Sequence, residues 1–324
     1  MTPAQAWNDK IRPFLPPFGG FLQSYEWGEF QESLGFKVIR IFEESSKGTV
    51  VAQVIEQPLK FGKKYYLIPK GPLGNASPKT MIEVLKHKLP KAAFLKIEPT
   101  QKIKGGVLMH ERHPQTTAMV SFRKSGVSNP AQVADDLLNR MKPKTRYNIK
   151  LAEKKHVTIR IAGPEAFGEF MELMKDTAKR DGFSLHLPDR YLNMLKVLKG
   201  GECRAFLAFA DFEGKALAVN LMIDSFGART YLHGASSSEN RNVMAPYALH
   251  WHLIKDAVEK GMLSYDFWGI APVGASDDHP WAGITRFKLG FGADVVEMPG
   301  TFDLPISSFW YGVYKLARRM SGLK

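Results

Sequence analysis

The stretch TYLHGASSSENRNVMAPYALHWHLIKDAVEKGMLSYDFW, residues 230–268, holds the deciding pattern in one piece. Thr230-Tyr231-Leu232-His233-Gly234 is short, β-branched and aromatic, which predicts a strand. Residues 235–245 predict a loop. A proline at 246 opens a predicted helix that runs to residue 260, and residues 264–268 predict a second strand. The first half repeats this order: Tyr65-Tyr66-Leu67, a loop, a helix over residues 78–89, and a strand over 93–97 that ends at Glu98-Pro99. Two units of one order predict a duplicated α/β module; two α/β domains sharing the order by chance is the alternative.

Immediately downstream, residues 264–300 run from that second strand through a polar loop to Gly283-Ile284-Thr285-Arg286-Phe287-Lys288-Leu289-Gly290-Phe291-Gly292. Glycines permit backbone conformations and approaches closed to other residues. Lys288 among phenylalanines and glycines has two readings. It is a positive point charge set beside a reacting carbonyl, or a solvated turn lysine next to two core rings.

Composition narrows the classes. A chain of 324 residues predicts two domains, and 44% hydrophobic with 24% charged residues is ordinary for a globular protein. A net charge of +13 and a pI near 9.6 are not ordinary; they suit a polyanionic partner such as nucleic acid, an anionic membrane or a phosphorylated substrate. The one cysteine, Cys203, excludes an internal disulfide and reads as a buried small residue in a strand. No signal core or apolar run long enough to cross a bilayer is read, which predicts a cytoplasmic protein. The aromatic-then-basic segment 309–319 reads as a helix packing back on the first domain or as an interfacial helix at the inner membrane face.

Upstream, residues 1–20 are proline-rich and predict irregular chain, and Ser24 predicts a helix N-cap. Strands follow at 36–42, 49–57 and 65–68, and the strand 116–122 is expected to close the first unit. A helix over 129–141 leads into a basic stretch with Arg140, Lys142, Lys144, Arg146, Lys150, Lys154, Lys155 and Arg160, interleaved with Tyr147. That density predicts a phosphate-binding surface. The histidines show no metal-ligand spacing, no metal is expected, and His250 and His252 read as helix-surface residues.

Taken in order, several segments resemble the FemABX family, peptidyltransferases that add amino acids from aminoacyl-tRNA to peptidoglycan precursors. They are Gln23-Ser24-x-x-Trp27, Tyr66-x-x-Pro69-x-Gly71-Pro72, Pro114-x-Thr116-Thr117 and Lys142-x-Lys144-Thr145-Arg146-Tyr147-Asn148-Ile149. Arg180-Asp181-Gly182-Phe183, Tyr231-x-His233-Gly234-Ala235, Asp266-Phe267-x-Gly269 and Phe287-Lys288-x-x-Phe291-Gly292 complete the series. The resemblance implies an α/β (α+β) fold of two tandem GNAT-like domains. Residues 1–127 with 299–324 would form the first, with the C-terminal helix returning to it, and 128–298 the second. Nothing in the sequence has the length or heptad pattern of the helical-hairpin arm that some members carry.

The implied reaction is aminolysis of the aminoacyl ester by an amine of a stem peptide, on lipid II or UDP-MurNAc-pentapeptide, forming the interpeptide bridge. Aminoacyl-tRNA is the co-substrate and no other cofactor is needed. Lys288 then neutralises the oxyanion and Phe287 walls the site. Glu98 either takes or holds the proton of the attacking ammonium, or only caps its strand. Tyr231 and His233, two apart on one strand, would line the precursor pocket from one face, and Arg180 and Trp27 would contact the precursor. Gln31 stands where many members have a lysine against the diphosphate, so Lys37 or Lys70 would substitute. Lys142, Lys144, Arg146, Lys150 and Arg241 would meet tRNA phosphates. The loop Asn240-Arg241-Asn242-Val243-Met244-Ala245-Pro246 lacks the glycines that cradle a pyrophosphate in acetyl-CoA-dependent relatives. The rival readings are an acyl-CoA-dependent N-acyltransferase, and a non-catalytic RNA- or membrane-binding protein on a degenerate acyltransferase fold. The chain is read as a monomer.

Overall fold

A computed structural model describes residues 1–110, 112–123 and 129–320. The chain divides into two compact units, one of Met1–Gln115 with the segment from Glu297 onward, the other of Thr116–Val296. The boundary expected at 127/128 falls outside the described residues. Element labels below run in chain order.

The first unit opens with α1 (Pro3–Ile11), in a stretch that the prolines had suggested would be irregular. Thr2 and Gln5 form a reciprocal capping box, 2.8 and 3.2 Å, and Pro3 sits at the first helical turn where a missing N–H costs nothing. Ser24 caps α2 (Tyr25–Ser33) through the Trp27 N–H at 3.1 Å, as expected. Strands β1 (Val38–Ser45), β2 (Gly48–Pro58), β3 (Lys64–Ile68) and β4 (Leu73–Gly74) precede α3 (Pro78–Lys88), β5 (Phe94–Ile97) and β6 (Val107–Met109). The C-terminal segment returns β15 (Thr301–Pro305) and α10 (Ser308–Met320) to this unit. The sheet order is β1-β2-β3-β5-β15-β6, with β4 on β2, and the β3–β5 pair flanks a helical crossover in parallel. Tyr65 stacks on Phe94 at 4.6 Å, and Tyr311 of α10 meets the same ring edge-on at 5.2 Å.

The second unit runs β7 (Thr116–Ser121), α4 (Pro130–Arg140), α5 (Pro143–Lys154), β8 (Thr158–Ala162), α6 (Phe167–Asp181) and α7 (Pro188–Val197). Next come β9 (Lys199–Gly200), β10 (Cys203–Phe212), β11 (Lys215–Ser225), β12 (Ala228–Ser236), α8 (Ala245–Glu259), β13 (Ser264–Gly269), α9 (Ala282–Leu289) and β14 (Asp294–Glu297). Its sheet is ordered β14-β7-β13-β12-β11-β10-β8, with β9 on β10. Here β12 and β13 are parallel across α8, as β3 and β5 are across α3. Each unit therefore contains an antiparallel pair, a crossover helix and a parallel strand, the tandem GNAT-like arrangement.

The strand at 116–122 does not close the first unit. It pairs antiparallel with β13, Val120 opposite Tyr265. Ala118, Val120 and Phe122 belong to the core under α8, and the Thr117 hydroxyl donates to the Asp266 carboxylate and to the Trp268 carbonyl, the latter at 2.9 Å. Period-two burial marks a strand, but its partner lies about 145 residues away and is chosen by that buried hydrogen bond and core.

Candidate functional site

The strand before α8 is bulged. Leu221 of β11 faces His233 and Met222 faces Tyr231, so Leu232 is an extra residue in β12. Neighbours Leu221 and Met222 point to opposite faces, and directly opposed residues share a face, so Tyr231 and His233 lie on opposite sides of the sheet. Alternation alone had put them together; the bulge reverses that. Tyr231 packs edge-on against His250 of α8 at 4.6 Å, while His233 meets Tyr191 of α7 at 5.2 Å and His186 at 5.9 Å. Burial lowers the His233 pKa to about 3, reinforced by His186 and Arg190, so it is a neutral ring.

The Tyr231 ring lies over Gly234. A Cβ there would sit 2.1 Å from the tyrosine Oη and 2.4 Å from Cε2, which no side chain tolerates. Gly234→Ala is expected to push Tyr231 off its position and to cost roughly 1–3 kcal/mol in urea unfolding. A variant of unchanged urea midpoint would show that the ring has room to yield.

Lys288 is 6% exposed on α9, not a turn residue. Its Nζ donates to the Gly269 carbonyl at 2.7 Å and stands 5.3 Å from the Tyr231 ring centroid. Burial lowers its pKa to about 7, opposed by the charge of Asp266. The acceptor carbonyl is held by a tight end to β13: Asp266 accepts the Trp268 N–H at 2.8 Å, and Trp268 has φ of 60°, a conformation that costs a non-glycine residue of order 1–3 kcal/mol. Phe287 packs on Tyr247 at 5.0 Å, Phe291 at 5.4 Å and His250 at 5.4 Å. His250 is 2% exposed, its Nδ1 2.7 Å from the Tyr265 hydroxyl. Burial brings its pKa to about 3, helped by the Lys288 charge. The expectation that His250 is a surface residue is thus corrected; its neighbour His252 is exposed.

Phe287 also lines a cleft of about 470 Å³ at the start of α8, with Lys144, Asn148, Ser236, Arg241 and Tyr247. The first turn of α8 leaves backbone N–H groups without intrahelical partners and carries the positive end of its dipole. Lys144 and Arg241 add two full charges, and Asn240 and Met244, at φ of 47° and 59°, shape the loop without glycine. The N-terminus of α5 is brought here by α9: Lys142 N–H donates to Gly290 O at 2.9 Å, and a Cβ on Gly290 would lie 2.5 Å from Thr145 Oγ1. Of the basic stretch, Lys142, Lys144 and Lys150 are exposed, as is Tyr147 at 65%. Arg146 is not available in the same way, since Nη1 donates to the carbonyls of Met141 and Asn139. Arg160 is held by Glu169 and Asp211, and Arg140 by the Gly292 carbonyl and Asp294. Arg180 pairs with Asp181 at 2.8 Å and donates to Ser236 O at 2.7 Å, beside the cleft residue rather than into open solvent.

The remaining expected residues belong to the first unit. Trp27 is 3% exposed between Phe21 and Phe30, and Gln31 is buried, its carbonyl accepting from Leu34 and Phe36. Both side chains are thus packed within the first unit. Lys70 is fully buried; its ammonium donates to the Pro114 carbonyl and lies 4.1 Å from the Phe18 ring, so it does not replace a surface lysine. The exposed Lys37 is the one of the two open to solvent. Glu98, also fully buried, accepts from Lys70 N at 3.0 Å, His113 N at 3.0 Å and Thr301 Oγ1 at 3.5 Å, with His113 Nδ1 3.1 Å away. Burial pushes its pKa up, but His113 and Lys70 outweigh that and hold it below the usual carboxylate value.

Sequence reading gave no role at this site to His250, Tyr247, Asn148 or Asp266. Asn148 and Asp266 stood inside motifs quoted above, and Tyr247, one residue after Pro246, had a signal in its place on the first helical turn; His250 is a core-facing helix position with none. Among the described residues no group of His, Cys, Asp and Glu is placed to hold a metal ion, and no helix is long and apolar enough to cross a membrane.

Comparison with protein families matches residues 105–221 and 201–319, more than half of the chain, to the FemAB family. The chain belongs to the FemAB family. Aminoacyltransferase FemA of Staphylococcus epidermidis is 36% identical over 90 residues, 28% of this chain and 21% of that protein. Aminoacyltransferase FemB of the same species is 32% identical over 90 residues, again 28% and 21%, and FemA of Staphylococcus aureus (strain MW2) is 30% identical over the same shares. The chain thus matches about a fifth of the length of these curated relatives. A crystal structure of FemX superposes with a TM-score of 0.80 at 20% identity, covering 97% of this chain and 98% of that one. The structure of L-PGS from Bacillus licheniformis superposes at 0.52 and 15% identity, over 96% and 98%. At these identities the structural likeness to FemX is one of fold, and it spans nearly the whole FemAB-family chain.

Proposed function

We propose that this FemAB-family protein is an aminoacyltransferase that moves an amino acid from aminoacyl-tRNA to the side-chain amine of a peptidoglycan precursor, building an interpeptide bridge. The observation that carries this reading is a buried lysine of pKa near 7, next in sequence to a phenylalanine that walls a cationic, glycine-poor cleft. The relatives named FemA and FemB support the reaction class.

In this reading the neutral amine attacks the ester carbonyl carbon. The amide C–N bond forms as the ester C–O bond breaks, and the ribose hydroxyl leaves with the proton that the amine gives up. Charge collects on the carbonyl oxygen in between. Lys288 in its cationic form stabilises that oxygen, and a preorganised donor of this kind contributes roughly 3–4 kcal/mol to the barrier. Lys144, Arg241 and the N-terminus of α8 hold a terminal phosphate of the donor. Lys142, Lys150 and the exposed ring of Tyr147 extend the path along α5. Glu98 has its acceptor positions taken inside the first unit, and we assign it the holding of Lys70 and His113 rather than proton transfer. The acceptor is lipid-linked or UDP-linked, and the former would be met at a membrane.

The test is a transfer assay with radiolabelled aminoacyl-tRNA pools against both acceptors, with Lys288→Ala beside the wild type. Transfer that collapses in the variant supports the reading. Silence with both acceptors, with acetyl-CoA consumed on an amine, overturns it in favour of an acyl-CoA enzyme. Charge reversal at Lys144 and Lys150 is expected to weaken tRNA binding by about tenfold or more and to lower the salt slope by about one per residue. Filter binding at several salt concentrations reads both, and an unchanged slope removes α5 from the donor path.

A further inference from the structure

Helix α10 has two unlike faces. Tyr311 and Tyr314 pack inward on Phe94, while Phe309 is 71% exposed, Leu316 59% and Met320 81%. At about 100° per residue these three fall with Val313 in one stripe, roughly 160° around the helix from Tyr311. The solvent side of a packed helix is ordinarily polar; this one is aromatic and aliphatic. Beside it, Phe61 is 78% exposed on a loop where its φ is 60°, a left-handed backbone that holds a bulky ring outward. A shallow cavity of about 250 Å³ lies between them, lined by Leu59, Phe61, Trp310, Val313 and Ala317.

The charged residues of the two segments that form this face have one sign. Residues 59–63 and 308–320 include Lys60, Lys63, Lys315, Arg318 and Arg319 and no aspartate or glutamate. Lys63 Nζ lies 4.7 Å from the Trp310 ring. Two-fold contact with a second copy would set this cationic rim against itself, because such an interface is self-complementary and like charges repel across it. An anionic bilayer surface fits both features: aromatic rings enter the headgroup region and lysines and arginines meet the lipid charge.

We propose that the outward face of α10 with the Phe61 loop docks this protein on an anionic lipid bilayer. The inference rests on the transferase reading only for why a membrane would be visited; binding is measured without transfer.

The full chain would be co-sedimented with vesicles of phosphatidylglycerol and phosphatidylcholine in equal parts, and with phosphatidylcholine alone. Partition onto the anionic vesicles is expected to be at least about tenfold stronger and to weaken with added salt. A Phe61→Ser, Phe309→Ser, Leu316→Ser variant should lose about tenfold or more while keeping its urea midpoint, and Lys60→Glu with Lys63→Glu should lose the preference for anionic lipid. Equal binding to both vesicles, or a triple variant that binds as the wild type does, overturns the proposal. So does a wild-type dimer in sedimentation velocity that the triple variant dissolves, which would give the face to a second copy. Vesicle binding that persists when no acceptor is aminoacylated sinks the transferase reading alone; transfer to the UDP-linked acceptor without vesicle binding sinks this one alone.

Discussion

Lys288→Met is expected to lower transfer by about 10²–10³-fold and, at pH 6, to raise fold stability by roughly 1–2 kcal/mol. The two effects share a cause. Burial takes the Lys288 pKa to about 7 from an ordinary 10.5, so the folded protein carries a charge that its surroundings disfavour. Between these values the unfolded chain binds more protons than the folded one, and stability therefore rises with pH across that window. Below pH 7 the cost is fully present, and methionine removes it. The gain stays modest because Gly269 O loses its donor and Asp266 a nearby cation. The same ionisation shapes the rate. Transfer needs a cation at this position and a neutral attacking amine, so the wild type should decline above about pH 7 after an ascending limb. Lys288→Arg should carry residual transfer whose descending limb is gone. Urea unfolding at pH 6 and 9 with pH–rate profiles of both variants would check this. A methionine variant that unfolds more easily at pH 6, or an arginine variant with the wild-type descending limb, would falsify the assignment.

Arg229→Met is expected to cost about 3–5 kcal/mol of stability, the largest such loss predicted for this chain. Arg229 is fully buried at the start of β12. Its guanidinium donates to both Asp224 oxygens at 2.7 and 2.8 Å, to Asp256 at 2.6 Å and to the Leu253 carbonyl at 3.0 Å. It thereby ties the end of β11 and the last turns of α8 to the strand that carries Tyr231. Methionine fills much of the space but strands the Asp224 carboxylate. Adding Asp224→Asn should therefore recover part of the loss, and the double variant should fall short of the sum of the singles. Urea midpoints of the three variants read this directly. A double-variant loss equal to the sum of the two single losses would mean that the pair is not coupled.

Much of the architecture was legible along the chain because it is encoded locally. The β12–α8–β13 order and the Ser24 cap follow from short-range pattern and capping chemistry. The capping box Thr2–Gln5 was equally local and was obscured by the prolines beside it. The grouping of Lys144, Arg241 and Phe287 at one cleft agrees with motifs read singly. What sequence could not determine depends on contacts made at a distance. One inserted residue, Leu232, reverses which face His233 occupies, and no residue type announces a bulge. The pairing of β7 with β13, the burial of Trp27, Lys70 and His250, and the pairing of Arg160 with Asp211 are set by neighbours far away in the chain. Composition and period determined that there would be two α/β units with a basic surface and a lysine among rings. Only tertiary structure decided that this lysine is buried, because desolvation, and with it a pKa near 7, belongs to the packed environment and not to the residue.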